Sequence, residues 1–435
     1  MRINELYVKN FRCFEELTIK FSGDYTVLIG NNSSGKSSVL NALSTALDSF
    51  VQAAQTDRRK SFPFTMMDIQ DSDARLKTFQ EGSTLNQISQ YPVAIMVSAQ
   101  VNGGESVSWE GIMNKHSEKN VKGVAPIAKY AQTLQEQITA DQQVILPVIA
   151  SYDTQRQWSN TGDKPAREIR FIPRMNGYAD ALSAEPFNIG AMRHWFSRML
   201  LISRKKNVPE FEAVRNAVAS CYKHVDDDQS VKRVVIDYDA EKEDLEFQTY
   251  FDDGSAEVLP LYYLSDGTKS ILAVAADIAY RMAVLNPGLL DRVITDTDGV
   301  VMIDEVDMHL HPSWQRKIVN SLHETFPKVQ FIFTTHSPSV LTNVPKENIV
   351  MLHGRQAYNP EANTYGRDVN SVLREVMHTE IRPSEISGKL KAFSDAVSDS
   401  DLDSADKILK ELRRVLGDND SEVVSAQVTL DLERI

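Results

Sequence analysis

The run Gly30-Asn31-Asn32-Ser33-Ser34-Gly35-Lys36-Ser37 has the spacing GxxxxGK[ST], whose chemistry is polyphosphate binding. Glycines let the main chain wrap an anion, and the start of the following helix turns N–H groups and a partial positive charge toward it. Lys36 would reach the β and γ phosphates and Ser37 would offer its hydroxyl to Mg²⁺, with Asn32, Ser34, Gly35 and Ser38 completing the cradle. A second constellation is Val300-Val301-Met302-Ile303-Asp304-Glu305, in which an apolar strand delivers two carboxylates at its C-terminal end, where open α/β sheets bind ligands. Asp304 would hold Mg²⁺ through water, and Glu305 would polarise the attacking water. Third, Phe331-Ile332-Phe333 runs into Thr334-Thr335-His336-Ser337-Pro338. One strand-helix-strand step beyond the acids, His336 can sit beside the γ-phosphate. Fourth, Leu264-Ser265-Asp266-Gly267-Thr268-Lys269-Ser270 opens a helix and offers another anion-receiving N-terminus. His309 and His311, two residues apart with no third ligand nearby, make a poor zinc site.

These residues need particular elements to place them. Short strands are expected at Ile3–Val8, Leu17–Phe21 and Tyr25–Ile29, the last stopping at the first glycine of the phosphate loop, with a helix over Ser37–Phe50. The stretch from Val51 to Pro92 is polar and reads as a surface insertion. Beyond it, strands at Val93–Val101, Val144–Ala150 and Ile169–Ile172 mix with helical spacing at Phe187–Ile202 and Val208–Tyr222. Alternating segments Val231–Tyr238, Leu245–Phe251 and Glu257–Tyr263, separated by AEKED and DDGS, read as a meander. A helix follows over Ser270–Leu285. Strand, helix and strand at Val300–Ile303, Pro312–Phe326 and Val329–Thr334 imply a parallel sheet. Helical patterning then occupies Val369–Ile435, with acids concentrated around Asp395–Asp406. The expected division is 1–50 for the phosphate-loop lobe, 51–230 for an insertion and helical lobe, 231–354 for the second half of the head, and 355–435 for a helical region that docks a partner.

Composition narrows the function. The 47 Lys+Arg against 60 Asp+Glu give a net charge of −13, which opposes a general DNA coat or an anionic-membrane protein. Two cysteines, Cys13 and Cys221, fit neither a disulfide framework nor a zinc ribbon and suit a reducing cytoplasm. The apolar stretch Ile271–Leu285 is broken by Asp277 and Arg281, so no membrane span is expected.

Taken together and in this order, the four motifs resemble the ABC-type ATPase superfamily, in its soluble SMC-like, RecF-like and OLD-like subgroup, with LSDGTKS standing for the signature LSGGQ. The resemblance implies an α/β head of the ABC type with a mixed α/β insertion and a C-terminal helical domain. It implies two ATPs sandwiched between two heads, Lys36 of one subunit and Ser265 and Gly267 of the other gripping the same triphosphate. KNFRCF, similar to the NFR segment of these ATPases, implies that Arg12 contacts phosphate. A Q-loop residue is expected from MMDIQDSD, as Asp68 or Gln70, and Asp307 is expected at the dimer seam with the HLHP turn.

The stretch between Lys36 and Leu264 is far too short for a long coiled coil, which argues against chromosome-tethering SMC proteins. IDEVDMHLHPSWQ, FIFTTHSPSVL, LPVIASYDTQRQW and the pattern from DVNSVLREVM to VTLDLERI closely resemble the ATPase subunits of Septu anti-phage modules, including those attached to retrons. That family implies a homodimer or higher oligomer, a small HNH nuclease partner and, in retron versions, a reverse transcriptase with multicopy single-stranded DNA. The chain itself lacks an HNH cluster or a Toprim-like tail, so any cutting would come from a partner. A RecF-like repair ATPase binding DNA directly is the competing reading. The basic clusters it could use, Arg58-Arg59-Lys60 and Arg204-Lys205-Lys206, are short.

Overall fold

A computed structural model of the chain describes residues 1–55, 67–81, 84–115, 118–119, 123–154, 173–183, 189–226 and 228–434. Its strands, in chain order, are β1 (Arg2–Phe11), β2 (Phe14–Lys20), β3 (Tyr25–Gly30), β4 (Leu76–Glu81), β5 (Thr84–Ser89), β6 (Val93–Val101), β7 (Glu105–Lys115), β8 (Glu118–Lys119), β9 (Val148–Tyr152), β10 (Val231–Asp239), β11 (Asp244–Phe251), β12 (Ala256–Pro260), β13 (Gly299–Ile303), β14 (Val329–Thr334), β15 (Ile349–His353) and β16 (Gln356–Tyr358). The helices are α1 (Lys36–Gln55), α2 (Ala125–Thr139), α3 (Ile189–Ser203), α4 (Pro209–Val225), α5 (Asp266–Leu285), α6 (Val293–Asp296), α7 (Pro312–Gln315), α8 (Ile318–Thr325), α9 (Pro338–Leu341), α10 (Val369–Glu375), α11 (Ser384–Ser398), α12 (Leu402–Leu416) and α13 (Ser421–Glu433). The chain divides into two units, Met1–Arg367 and Asp368–Ile435.

The first unit is built on a six-stranded sheet ordered β16-β15-β3-β14-β13-β9, parallel except for β16. Every residue of β13 and β14 is buried, as strands covered on both faces require, and their sequences are accordingly almost continuously apolar. Gln330 and Thr334 are the polar exceptions, both with no exposure. Gln330 sits inside the strand. Its amide donates to the carbonyls of Ile3 (2.8 Å) and Ser22 (2.7 Å) and accepts from the Ile3 N–H (2.6 Å). A polar side chain inside β14 thereby ties the parallel sheet to β1 and satisfies all of those groups. The second sheet, β2-β1-β6-β7-β8, is antiparallel, and β10-β11-β12 form the expected meander. Helix α5 is buried on every side from Ile271 to Leu285, which accounts for its lack of a polar stripe.

The expected division shifts in two places. The region 51–230, expected as an insertion and helical lobe, also supplies strands of the two main sheets: β6, over the expected Val93–Val101, and β7 complete the antiparallel sheet, and β9, overlapping the expected Val144–Ala150, is an edge strand of the parallel one. Periodicity within 51–230 could not show this, because the pairing partners lie far away in sequence. The second unit starts at Asp368 and not at 355, since β16 pairs back onto β15. The strand expected at Ile169–Ile172 and the cluster Arg58-Arg59-Lys60 lie outside the described residues.

The second unit packs α11, α12 and α13 around Ile386, Phe393, Ala405, Leu409, Leu412, Val423, Ala426 and Leu430. Several of its acids have local structural roles. Asp401 caps α12, and Asp420 caps α13 while holding Arg382 at 2.9 and 3.0 Å. Asp406 meets Lys410 and Arg434. Part of the acidic run is thus explained by helix N-termini, where carboxylates satisfy free N–H groups.

Gly299 begins β13 at a φ of +155°, and a Cβ there would lie 1.9 Å from the Val148 carbonyl oxygen. Because β9 cannot retreat without losing its pairing, Gly299→Ala is expected to destabilise the first unit by about 3 kcal/mol, read as a lowered urea midpoint with an unchanged slope.

Candidate functional site

The phosphate loop joins β3 to α1 at the C-terminal edge of the parallel sheet. Its glycines are required sterically. A Cβ on Gly35, at φ +102°, would lie 2.2 Å from the Phe14 ring and 2.7 Å from the Cys13 sulfur, and one on Gly30 would lie 2.4 Å from the Leu352 carbonyl oxygen. The Lys36 ammonium donates to the carbonyls of Gly30 (2.9 Å) and Asn31 (3.3 Å), its side chain folded over the loop. Burial lowers the Lys36 pKa, while Asp304, Glu305 and Asp307 pull it back up. The buried Ser34 hydroxyl oxygen has no hydrogen-bond partner, an unusual cost inside a protein that an oxygen-rich ligand in the loop would remove.

Across the sheet, the Ser37 hydroxyl donates to Asp304 Oδ2 at 2.8 Å. The Thr334 hydroxyl, fully buried, donates to Asp304 Oδ1 and accepts from the Glu305 N–H at 2.7 Å. One hydroxyl from β14 therefore holds the Asp304 carboxylate and the Glu305 main chain at the end of β13. Glu305 itself has φ +46°, a conformation a non-glycine residue keeps only when its surroundings hold it, and such residues gather at functional sites. Ser37 and Asp304 together offer oxygen ligands of the kind Mg²⁺ takes when phosphates and water supply the rest. Among the described residues there is no cluster of three or more His, Cys, Asp or Glu fit to hold a metal without such help.

His336 follows β14, and its pKa is lowered by burial and by the Lys36 charge, with Glu305, Asp307 and Asp304 opposing. A lowered value leaves the ring neutral at pH 7, able to accept a hydrogen bond as well as to donate one. Asp307 accepts from the Thr335 hydroxyl, and Gln315 donates to the Leu310 carbonyl (3.0 Å) while accepting from the Ser337 hydroxyl (2.7 Å). The loops after β13 and β14 are thus stitched together. Thr334, Thr335 and Gln315 lie within FIFTTHSPSVL and IDEVDMHLHPSWQ, but those stretches assign them no individual role; the only local signal is the position of Thr334 and Thr335 between a buried strand and His336.

Ser265 caps α5, its hydroxyl oxygen accepting from Thr268 N–H at 3.2 Å. A Cβ on Gly267 would lie 2.6 Å from the His309 carbonyl oxygen, so the signature turn and the HLHP turn are neighbours within one chain. His311 hydrogen-bonds Ser313 and caps α7. Arg12, in the β1–β2 turn at φ +49°, directs its Nε to Asp73 Oδ1 at 2.9 Å, with 38% of its side chain exposed. The adjacent Cys13 lies against Gly35, so Arg12 is one residue from the phosphate loop. Asp68 and Gln70 gather around Arg12 as well: the Gln70 N–H donates to Asp73, and Asp68 lines a cavity with Arg12, Asn41 and Asp48. The strand end next to Asp304 belongs instead to β9, where the Tyr152 carbonyl accepts the Asp304 N–H at 2.8 Å.

Two family models match the chain. Residues 1–89 fit "AAA ATPase domain", and residues 150–342 fit "AAA domain, putative AbiEii toxin, Type IV TA system". The retron Ec83 probable ATPase of Escherichia coli is 24% identical over 88% of this chain and 78% of its own length. The retron Vc95 probable ATPase of Vibrio cholerae is 24% identical over 91% and 84% respectively. The Septu protein PtuA of Bacillus mycoides is 27% identical over 82% of this chain and 41% of its own length. The chain resembles the retron and Septu ATPases. A solved SMC head domain from Thermotoga maritima aligns with 82% of this chain and 98% of its own chain at 14% identity, with a TM-score of 0.42. Among the described residues no helix is long and apolar enough to cross a membrane.

The Thr334 hydroxyl suggests a discriminating substitution. Thr334→Val keeps the volume of the side chain but strips the hydrogen bonds to Asp304 and Glu305. Mg²⁺ titrations of ATP hydrolysis are expected to show a demand for metal raised roughly 10- to 100-fold, the usual cost of losing an outer-shell partner, with metal-free nucleotide affinity nearly unchanged.

Proposed function

We propose that this ATPase is the nucleotide-driven regulatory subunit of a bacterial anti-phage complex of the Septu or retron type. The observation that carries the reading is the joining of Ser37, Asp304, Thr334 and Glu305 at one sheet edge, together with relatives named for retron and Septu systems over most of the chain. ATP would enter the loop at Gly30–Ser38, its phosphates taking the Lys36 ammonium from the Gly30 and Asn31 carbonyls and giving the Ser34 hydroxyl a partner. Mg²⁺, when bound, would be held on the Ser37 and Asp304 side and neutralise charge on the phosphates. Glu305, in its constrained backbone, would orient and polarise the attacking water, and neutral His336 would hydrogen-bond the γ-phosphate.

Two heads closing on two ATPs would bring Ser265 and Gly267 of each onto the nucleotide of the other, with Asp307 near the seam. The dimerisation, read out by a small HNH nuclease, would couple nucleotide state to cutting; in a retron version a reverse transcriptase with its single-stranded DNA would join. Turnover would be slow, as suits a switch. The acidic balance of −13 favours this over a RecF-like module gripping DNA directly, which needs a strong basic face.

Glu305→Gln is expected to bind ATP and accumulate as a nucleotide-dependent dimer while its hydrolysis falls by at least about 100-fold. Adding Ser265→Arg to it should leave monomer binding intact and remove the dimer, both read by light scattering. Hydrolysis surviving in Glu305→Gln would remove the catalytic assignment. Purification of the tagged protein from its own operon tests the wider reading. A co-purifying HNH protein, with or without a reverse transcriptase and short DNA, is expected, whereas recombination proteins would move the assignment to repair.

A further inference from the structure

Deep in the first unit, α5 carries an ion pair that no nucleotide contact explains. Asp277 and Arg281 lie one turn apart, their side chains 4% and 9% exposed, with Arg281 Nε donating to Asp277 Oδ2 at 2.7 Å. Arg281 Nη1 also donates to the carbonyls of Gly177 (2.9 Å) and Ala179 (2.8 Å). The third member is Tyr152, whose hydroxyl donates to the same Asp277 Oδ2 at 2.7 Å. Burying two charges is costly, and a well-packed apolar set of similar volume is often at least as stable, so stability alone is a weak reason for the pair.

Its position suggests another. Tyr152 is the last residue of β9, in register with Ile303 of β13, and its carbonyl accepts the N–H of Asp304. The other end of α5, about three turns away, is the Ser265 cap and Gly267. Since α5 is buried from Ile271 onward and meets the 174–178 turn so closely that a Cβ on Gly177 would lie 2.5 Å from Leu285, it can shift only as a rigid rod. Such a shift moves Asp277, and Asp277 holds Tyr152. Burial, reinforced by the Asp277 charge, raises the Tyr152 pKa well above 10, so its proton stays in the link.

We propose that Tyr152 is a positioning residue that transmits contact at the signature turn, through Asp277 and Arg281 of α5, to Asp304 and Glu305 of the same chain. The link rests on the ATPase reading above and adds to it a device by which occupation of the signature face sets the hydrolytic acids. Tyr152 touches neither nucleotide nor water in this scheme; it orders the strand end on which the acids stand.

Tyr152→Phe keeps the ring and removes only the hydroxyl. In the full-length protein, the ATP Kd and KM are expected to stay within about twofold and the thermal midpoint to fall by only a few degrees, while kcat drops roughly tenfold. The decisive measurement is a double-mutant cycle with Ser265→Ala: the two losses in kcat should overlap strongly, the second substitution costing little once the first is made. Additive losses, or an unchanged kcat in Tyr152→Phe, would overturn the link. So would a parallel fall of binding, kcat and thermal midpoint, which marks a scaffold role. Wild-type protein that binds ATP without turning it over would overturn the ATPase reading and the link with it, whereas normal wild-type turnover beside any of the three preceding results overturns the link alone.

Discussion

One fully buried hydroxyl organises the sheet edge where Ser37, Asp304 and Glu305 meet. Thr334 donates to Asp304 and accepts from the backbone of Glu305, so the Asp304 carboxylate and the main chain that carries Glu305 are tied to one point at the strand end. That arrangement is available only because β13 and β14 are parallel neighbours in register, Ile303 opposite Phe333. The same register brings β3, and with it the phosphate loop, alongside β14. Ser37 can then reach Asp304 across the sheet. A purely apolar pair of strands would pack as well but would leave the acids unplaced.

Close packing surrounds this edge. Gly30 and Gly35 have no room for a side chain, because Leu352, Cys13 and Phe14 press against them, so the loop owes its shape to neighbours as much as to its own freedom. Gln330 is buried inside β14 and joined to Ile3 and Ser22, holding the antiparallel layer against the parallel one. The phosphate loop is accordingly clamped between the β1–β2 turn on one side and the end of β15 on the other. Electrostatics follow from the packing: burial works against the charge on Lys36 and on His336, while the three nearby carboxylates oppose that effect. A bound triphosphate would favour the Lys36 charge in the same way.

The second unit rests on different physics. Its three long helices share a small aliphatic core, and carboxylates at Asp401 and Asp420 cap helices that would otherwise end in free N–H groups. Acids that look like an interaction surface in the sequence are therefore partly committed within the unit. Residues Lys407, Arg414 and Glu411 remain on its exposed surface.

Local pattern alone was enough to place the glycine-rich loop between β3 and α1, the acid pair at the end of β13, His336 after β14 and the Ser265 cap of α5, because each is carried by adjacent residues at a strand end or helix start where side-chain type and backbone are specified together. The meander and the helical nature of the C-terminal unit were legible for the same reason, through short-range periodicity. Tertiary structure decided what depends on distant pairing. That β6, β7 and β9 belong to the sheets of the head, that Asp73 takes Arg12, that Thr334 meets the Asp304 carboxylate and the Glu305 N–H, and that Tyr152 joins α5 to the strand beside Asp304 all follow from contacts between segments far apart in the chain. A single threonine or tyrosine at a strand end carries no periodicity, and its place inside FIFTTHSPSVL or LPVIASYDTQRQW does not say what it bonds, so its role becomes visible only when the sheet brings its partner within hydrogen-bond reach.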